Sequence, residues 1–450
     1  MAMLDLDGNP VIMPHKRSWN NPHFIGDPSN PMYQQGHIDY YRKYLDYGAS
    51  TLQRDEVESI AFAAASYGGG FSETGVTGFS EWLAANVDRR DLRDLGIRAP
   101  LEFRYDDYLR ERGAPVGDAF AGYDDPLKPY WERYWREEST RFFKTVIEEV
   151  KSATDRPITF SCNNTSLQIW EYAHLEFDFA ISELLLGSAN PNHIWERSVA
   201  ARENGKFQVF GSPKTRGTEV DPQRKKDLTR KVIATAYASG SASRVPWDIF
   251  QQTPDGGGRY FGEPSDYADL YAFVRAQDWS GYDEIRAFGP DVDTLAIDDD
   301  LMEIEGTEGV YGFIQQNDDP DRPPLLHLVN WGVPTVLPPS ESKMSFLEES
   351  RTGTRIYFSR DGEENLNRTD SKPIILRLSR DFADGAFNGA LELLTPVPFD
   401  AELHREVVVS GDFERFVEVT RLPGKAVLGR FHEFQIPALG PWGILRPAKD

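Results

Sequence analysis

Between residues 157 and 277 the chain repeats one pattern, a short β-prone run followed by a helical stretch. Runs at 157–162, 177–182, 207–210 and 243–246 alternate with helical stretches at 166–174, 192–204, 223–239 and 265–277. Strands separated by helices do not pair as tight hairpins, so the pattern predicts βαβ units and a parallel sheet. An earlier run opens the series: Ala-Ser-Thr-Leu-Gln from residue 49 leads straight into Arg54, Asp55 and Glu56, then a loop with Gly68, Gly69 and Gly70. Ahead of the repeat, 129–153 carries Trp131, Trp135, Phe142, Val146 and Val150 on one stripe of a long helix.

Each run ends in polar side chains. Asp55 and Glu56 close the first, Asn163 and Asn164 the second, and Glu183 the third. Lys214 follows Gly211-Ser212-Pro213 after the fourth, and Trp247-Asp248 closes the fifth. Ligands of parallel α/β proteins bind at the carboxyl ends of the strands, so these residues mark one candidate cleft. The expected class is α/β, a (β/α)8-type TIM barrel. Past residue 290 the texture changes to short alternating runs at 309–314, 325–329, 355–358, 373–378, 406–410, 416–420 and 427–436, separated by Asp, Gly, Pro and Asn clusters. That spacing predicts an antiparallel β-sandwich. The expected division is a catalytic barrel at 1–290 and a sandwich domain at 291–450.

Composition narrows the partners. With 49 basic and 72 acidic residues the net charge is −23, which argues against nucleic acid and anionic membrane as partners. No apolar run approaches the roughly 18 residues of a membrane span. The start, Met1 to Asn9, shows neither the basic nor the apolar region of a secretory signal. A cytoplasmic protein is expected if this start is genuine, and a secreted or periplasmic one if a segment precedes it. Cys162 is the single cysteine, which excludes an intrachain disulfide and a cysteine-rich metal site. No histidine pair has ligand spacing, and the acidic runs at 298–303 and 317–321 lack the EF-hand pattern, so no metal or cofactor is expected. Oligomeric state is left open.

The motif order resembles the retaining β-galactosidases of glycoside hydrolase family 42. The segment from Leu4 to Pro10, Ser29 to Tyr33, the tetrapeptide Gln53-Arg54-Asp55-Glu56 and the run from Leu326 to Trp331 carry the resemblance, which covers roughly residues 5–285. It implies a (β/α)8 barrel with smaller domains behind it, a carbohydrate substrate, and Glu56 in the place of the acid/base. Asp55 stands where the family has an asparagine, and Gly211-Ser212 where its nucleophilic glutamate ends a strand. Three barrel strands have no counterpart before residue 53, so fewer than eight are expected from this chain.

Glycoside hydrolysis needs two carboxyls: one protonates the leaving oxygen, the other attacks the anomeric carbon or activates water. Glu56 is the candidate acid/base, Glu183 the best second carboxylate and Asp248 the next. Strand-end carboxylates paired with Lys214, Arg216 or Arg244 are the structural alternative. Asn163 and Asn164 carry amides suited to sugar hydroxyls, and Trp247 an indole suited to a sugar face. Arg54, Lys214 and Arg216 would suit a carboxylated or sulfated sugar, or simply balance the neighbouring carboxylates. Two other functions fit the same residues: a polysaccharide lyase on a similar barrel, and a carbohydrate-binding protein without catalysis.

Overall fold

A computed structural model describes residues 2–12, 23–55, 57, 59–163, 172–182, 184, 189–212, 222–244, 264–288, 302–305, 310–319, 321–331, 374–379, 382, 389–427, 429, 431–437 and 439–448. Two compact units emerge, Met1–Asn164 with Gln168–Ala180, and Thr165–Leu167 with Ile181–Asp450.

In the first unit, helix α1 (Pro31–Asp46) starts where Asn30 accepts from the Met32 amide and proline occupies the first turn. Its buried residues Ile38, Tyr41 and Leu45 recur at helical spacing. Strand β1 (Thr51–Arg54) follows, then α2 (Ser59–Ser66), α3 (Glu73–Asn86), α4 (Arg89–Asp94), α5 (Tyr105–Glu111) and α6 (Lys128–Lys151). The α6 stripe expected from spacing is buried throughout, at Trp131, Trp135, Phe142, Val146 and Val150. Against it lies the glycine loop. Gly70 has φ +102°, and a Cβ there would meet the Trp131 and Trp135 indoles, so this turn admits no side chain. Strand β2 (Thr159–Asn163) pairs parallel to β1, with Thr51 opposite Thr159 and Arg54 opposite Cys162. Tyr41 meets Phe160 edge-on at 5.4 Å, which seats α1 on this strand pair.

Strand β3 (Phe179–Ser182) contains the division between the units. The second unit continues with α7 (Pro191–Glu203), β4 (Phe207–Phe210), α8 (Pro222–Ala238), β5 (Ala242–Ser243) and α9 (Ala268–Arg275). The hydrogen-bonded order is β1-β2-β3-β4-β5, a five-stranded parallel sheet among the described residues. This is the α/β class that the alternation predicts.

The rest is antiparallel. Strands β6 (Glu284–Phe288), β7 (Met302–Glu305), β8 (Val310–Gln316), β9 (Leu325–Asn330), β10 (Ile374–Ser379) and β11 (Ala390–Pro396) precede helix α10 (Ala401–Ser410). After it come β12 (Val417–Pro423), β13 (Lys425–Val427), β14 (Phe431–Ile436) and β15 (Trp442–Pro447). They form a four-stranded sheet, β13-β14-β10-β7, and a six-stranded sheet, β12-β11-β15-β9-β8-β6. Leu376, Leu378 and Phe434 from the smaller sheet share a core with Leu326, Leu393 and Leu445 from the larger, the interior of a sandwich.

One expected strand is a helix. Residues 406–410, with three consecutive valines, lie in α10, which Asp400 caps by accepting from the Glu402 and Leu403 amides and which ends at Gly411, φ +75°. Only Val407 of the three valines is buried, the helical outcome of a short run with one inward position. The expected run at 355–358 lies outside the described residues.

Candidate active site

Side chains alternate along a strand, so neighbours at a strand end point to opposite faces. Leu52 and Arg54 share the face of Phe160 and Cys162, their register partners on β2. That face carries α1. Arg54 accordingly acts electrostatically on Tyr33, His37 and Tyr41. Burial, then the Arg54 charge, lowers the His37 pKa to about 4, so its imidazole is neutral at neutral pH. Tyr33 stacks on Phe142 at 5.4 Å and meets His37 edge-on at 4.6 Å. A Cβ at Gly26 would fall inside the Tyr33 ring, so glycine at that position lets the ring reach Arg54.

Asp55 and Asn163 take the other face. The Asn163 Nδ2 donates to Asp55 Oδ1 at 2.8 Å across the tips of β1 and β2. Asn163 is 8% exposed, and its Oδ1 is buried without a hydrogen-bond partner among the described residues. Thus Arg54, Asp55 and Asn163, grouped by sequence position, separate into a half-buried arginine whose charge acts on Tyr33, His37 and Tyr41 and a carboxylate–amide pair at the strand ends. Glu56, Asn164, Glu183, Lys214, Arg216, Trp247 and Asp248 lie outside the described residues.

In the second unit β3 ends at Ser182, which is fully buried. Arg197 of α7, 2% exposed, donates from Nη1 to Ser182 Oγ at 3.0 Å and from Nε to His193 Nε2 at 2.7 Å. Gln208 of β4 donates to the same Ser182 Oγ at 3.1 Å. Burial, reinforced by Arg197, lowers the His193 pKa to about 3, which keeps Nε2 an acceptor. This network was not among the candidate residues expected from the sequence. Its signal is the i, i+4 pair His193–Arg197 on a helix flanked by buried strands.

No protein-family model matches the chain, and no curated protein does. Among solved structures it is similar to a GH27 β-L-arabinopyranosidase from Geobacillus stearothermophilus, at 7% identity and TM-score 0.37 over 98% of this chain and 67% of that one. It is also similar to a 4-O-α-L-rhamnosyl-β-D-glucuronidase from Fusarium oxysporum 12S, at 13% identity and TM-score 0.30, covering 72% of this chain and 67% of that one. The endo-β-1,4-mannanase from Thermotoga petrophila is similar at 13% identity and TM-score 0.22, over 72% of this chain and 96% of that one. None of the three is a β-galactosidase by name, so the family 42 resemblance stays with the motif residues.

Proposed function

We propose that the chain is a glycoside hydrolase whose substrate meets the carboxyl ends of its parallel strands in a (β/α) barrel spanning 1–290, with the sandwich of 291–450 as an accessory domain. The observation that carries this reading is the Asp55–Asn163 pair, a buried amide with a spare acceptor at the sheet edge where ligands of parallel α/β proteins bind. Glu56 follows Asp55 directly and is assigned as acid/base. Glu183, which follows the Arg197-bound Ser182, is the second carboxylate, and Asp248 is next in line. Asn164, Lys214, Arg216 and Trp247 are assigned to substrate binding.

The test is leaving-group dependence. Glu56→Gln should lose roughly 10²–10⁴-fold on a glycoside with a poor leaving group, because general-acid help is gone. An activated aryl glycoside should suffer less in its first step. Glu183→Gln should impair both equally, since no leaving group replaces a nucleophile. If Asp248→Asn rather than Glu183→Gln loses activity, the second role passes to Asp248. Full activity in all three variants, or a product absorbing as an unsaturated uronate, sinks the hydrolase and favours a lyase.

A further inference from the structure

A carboxylate only accepts hydrogen bonds, whereas an amide offers one end of each kind. With Asp55 Oδ1 2.8 Å from Asn163, the amide orientation is therefore fixed: Nδ2 faces Asp55 and Oδ1 is left over. That Oδ1 is buried and has no partner among the described residues. An acceptor beside a carboxylate calls for a hydrogen-bond donor. The nearest cation in sequence does not change this, because Arg54 lies on the opposite strand face with Tyr33 and His37.

From this geometry we infer that Asn163 Oδ1 accepts a hydroxyl hydrogen from a neutral sugar, that Asp55 is the positioning residue holding the amide in that orientation, and that this part of the site disfavours uronates. The inference rests on the glycosidase reading and narrows its substrate class. A sugar hydroxyl supplies the missing donor. A uronate carboxylate in the same place would set an acceptor against Oδ1 and a second negative charge against Asp55, which is unfavourable on both counts.

The experiment uses the full chain and a panel of nitrophenyl hexopyranosides, each paired with its matching nitrophenyl hexuronide, read by turnover and by calorimetric binding. Hexosides should be favoured at least tenfold. Asn163→Ala should lower kcat/KM on the hexosides by about tenfold, the scale of one hydrogen bond, and raise it on the hexuronides, whose carboxylate no longer faces an acceptor there. Asp55→Asn is the second variant, at an exposed position. An amide there both donates and accepts, so Asn163 is free to flip, and the hexoside preference should narrow with the melting temperature unchanged. A wild-type preference for hexuronides, or equal losses on both series in both variants, overturns the assignment while leaving a glycosidase standing. If no member of either series is bound or turned over, the carbohydrate reading itself falls and this assignment with it.

Discussion

Arg54 and Asp55 are adjacent in the chain and sit in different chemical surroundings. The arginine is half-buried, and its charge acts on Tyr33, His37 and Tyr41. Its clearest reporter is His37. Wild-type His37 should titrate near pH 4 by NMR, and Arg54→Met should raise that midpoint. It should stay below the ordinary 6.5, because burial is the larger cause and persists. An unmoved midpoint would place the guanidinium away from the imidazole. At this scale the sequence showed which residues are polar at the strand ends, since run boundaries are local. It did not show which face each one takes. Arg54's environment depends on Tyr33 and Gly26, more than twenty residues upstream, and no local pattern announces that a glycine there admits a ring.

At the scale of elements, α8 shows how a helix is fastened to a sheet by polar groups inside an apolar core. Lys231, 4% exposed, donates from Nζ to the Trp331 carbonyl, and the Trp331 indole donates to Thr235 Oγ1 at 2.9 Å. Near the helix end, Gln315 of β8 donates to the Tyr237 and Ala238 carbonyls at 3.1 and 2.9 Å, the former of which also accepts from the Gly240 amide. Burial lowers the Lys231 pKa to about 8 against an ordinary 10.5, the nearby Asp227 opposing it. Between those values the unfolded chain holds the proton that the folded protein has released, so stability rises with pH across that window. Denaturant melts should show this rise between pH 8 and 10 in the wild type, and Lys231→Met should flatten it. A slope that survives the substitution assigns the effect to another group. The 223–239 stretch was readable as a helix because its periodicity is local, and Pro222–Ala238 matches it closely. Its fastening to Trp331 and Gln315 was not, because those partners lie some eighty to a hundred residues away. The three valines at 407–409 mislead for the converse reason: β-branched residues favour strands, while the caps Asp400 and Gly411 that decide the matter flank the run.

Across the whole molecule the two units should respond unequally to acid. Among the described residues the second holds two imidazoles with pKa values lowered to about 3: His327, fully buried and accepting from the Trp442 indole at 3.2 Å, and His193, beside Arg197. The first holds His37, lowered to about 4. In each case the neutral form belongs to the fold, so the contribution to stability is complete above the unfolded value of 6.5. It is lost as pH falls from there toward the folded value. Carboxylates held low by arginine, such as Glu73 and Asp106 in the first unit, matter only in and below the ordinary carboxylate range. From pH 6.5 to about 4.5 the histidines therefore dominate. Among the described residues of the second unit Glu196, raised by burial, works the other way. Hydrogen exchange followed peptide by peptide should accordingly show protection falling more steeply in α7, β9 and β15 than in α1 and α6 as pH drops through that window, after correction for intrinsic exchange. His327→Gln should remove part of the excess, because a neutral amide in that place has no proton to gain on unfolding. Equal losses in the two units, or a steeper loss around α1, would mean that the solvation of these imidazoles does not govern the acid response.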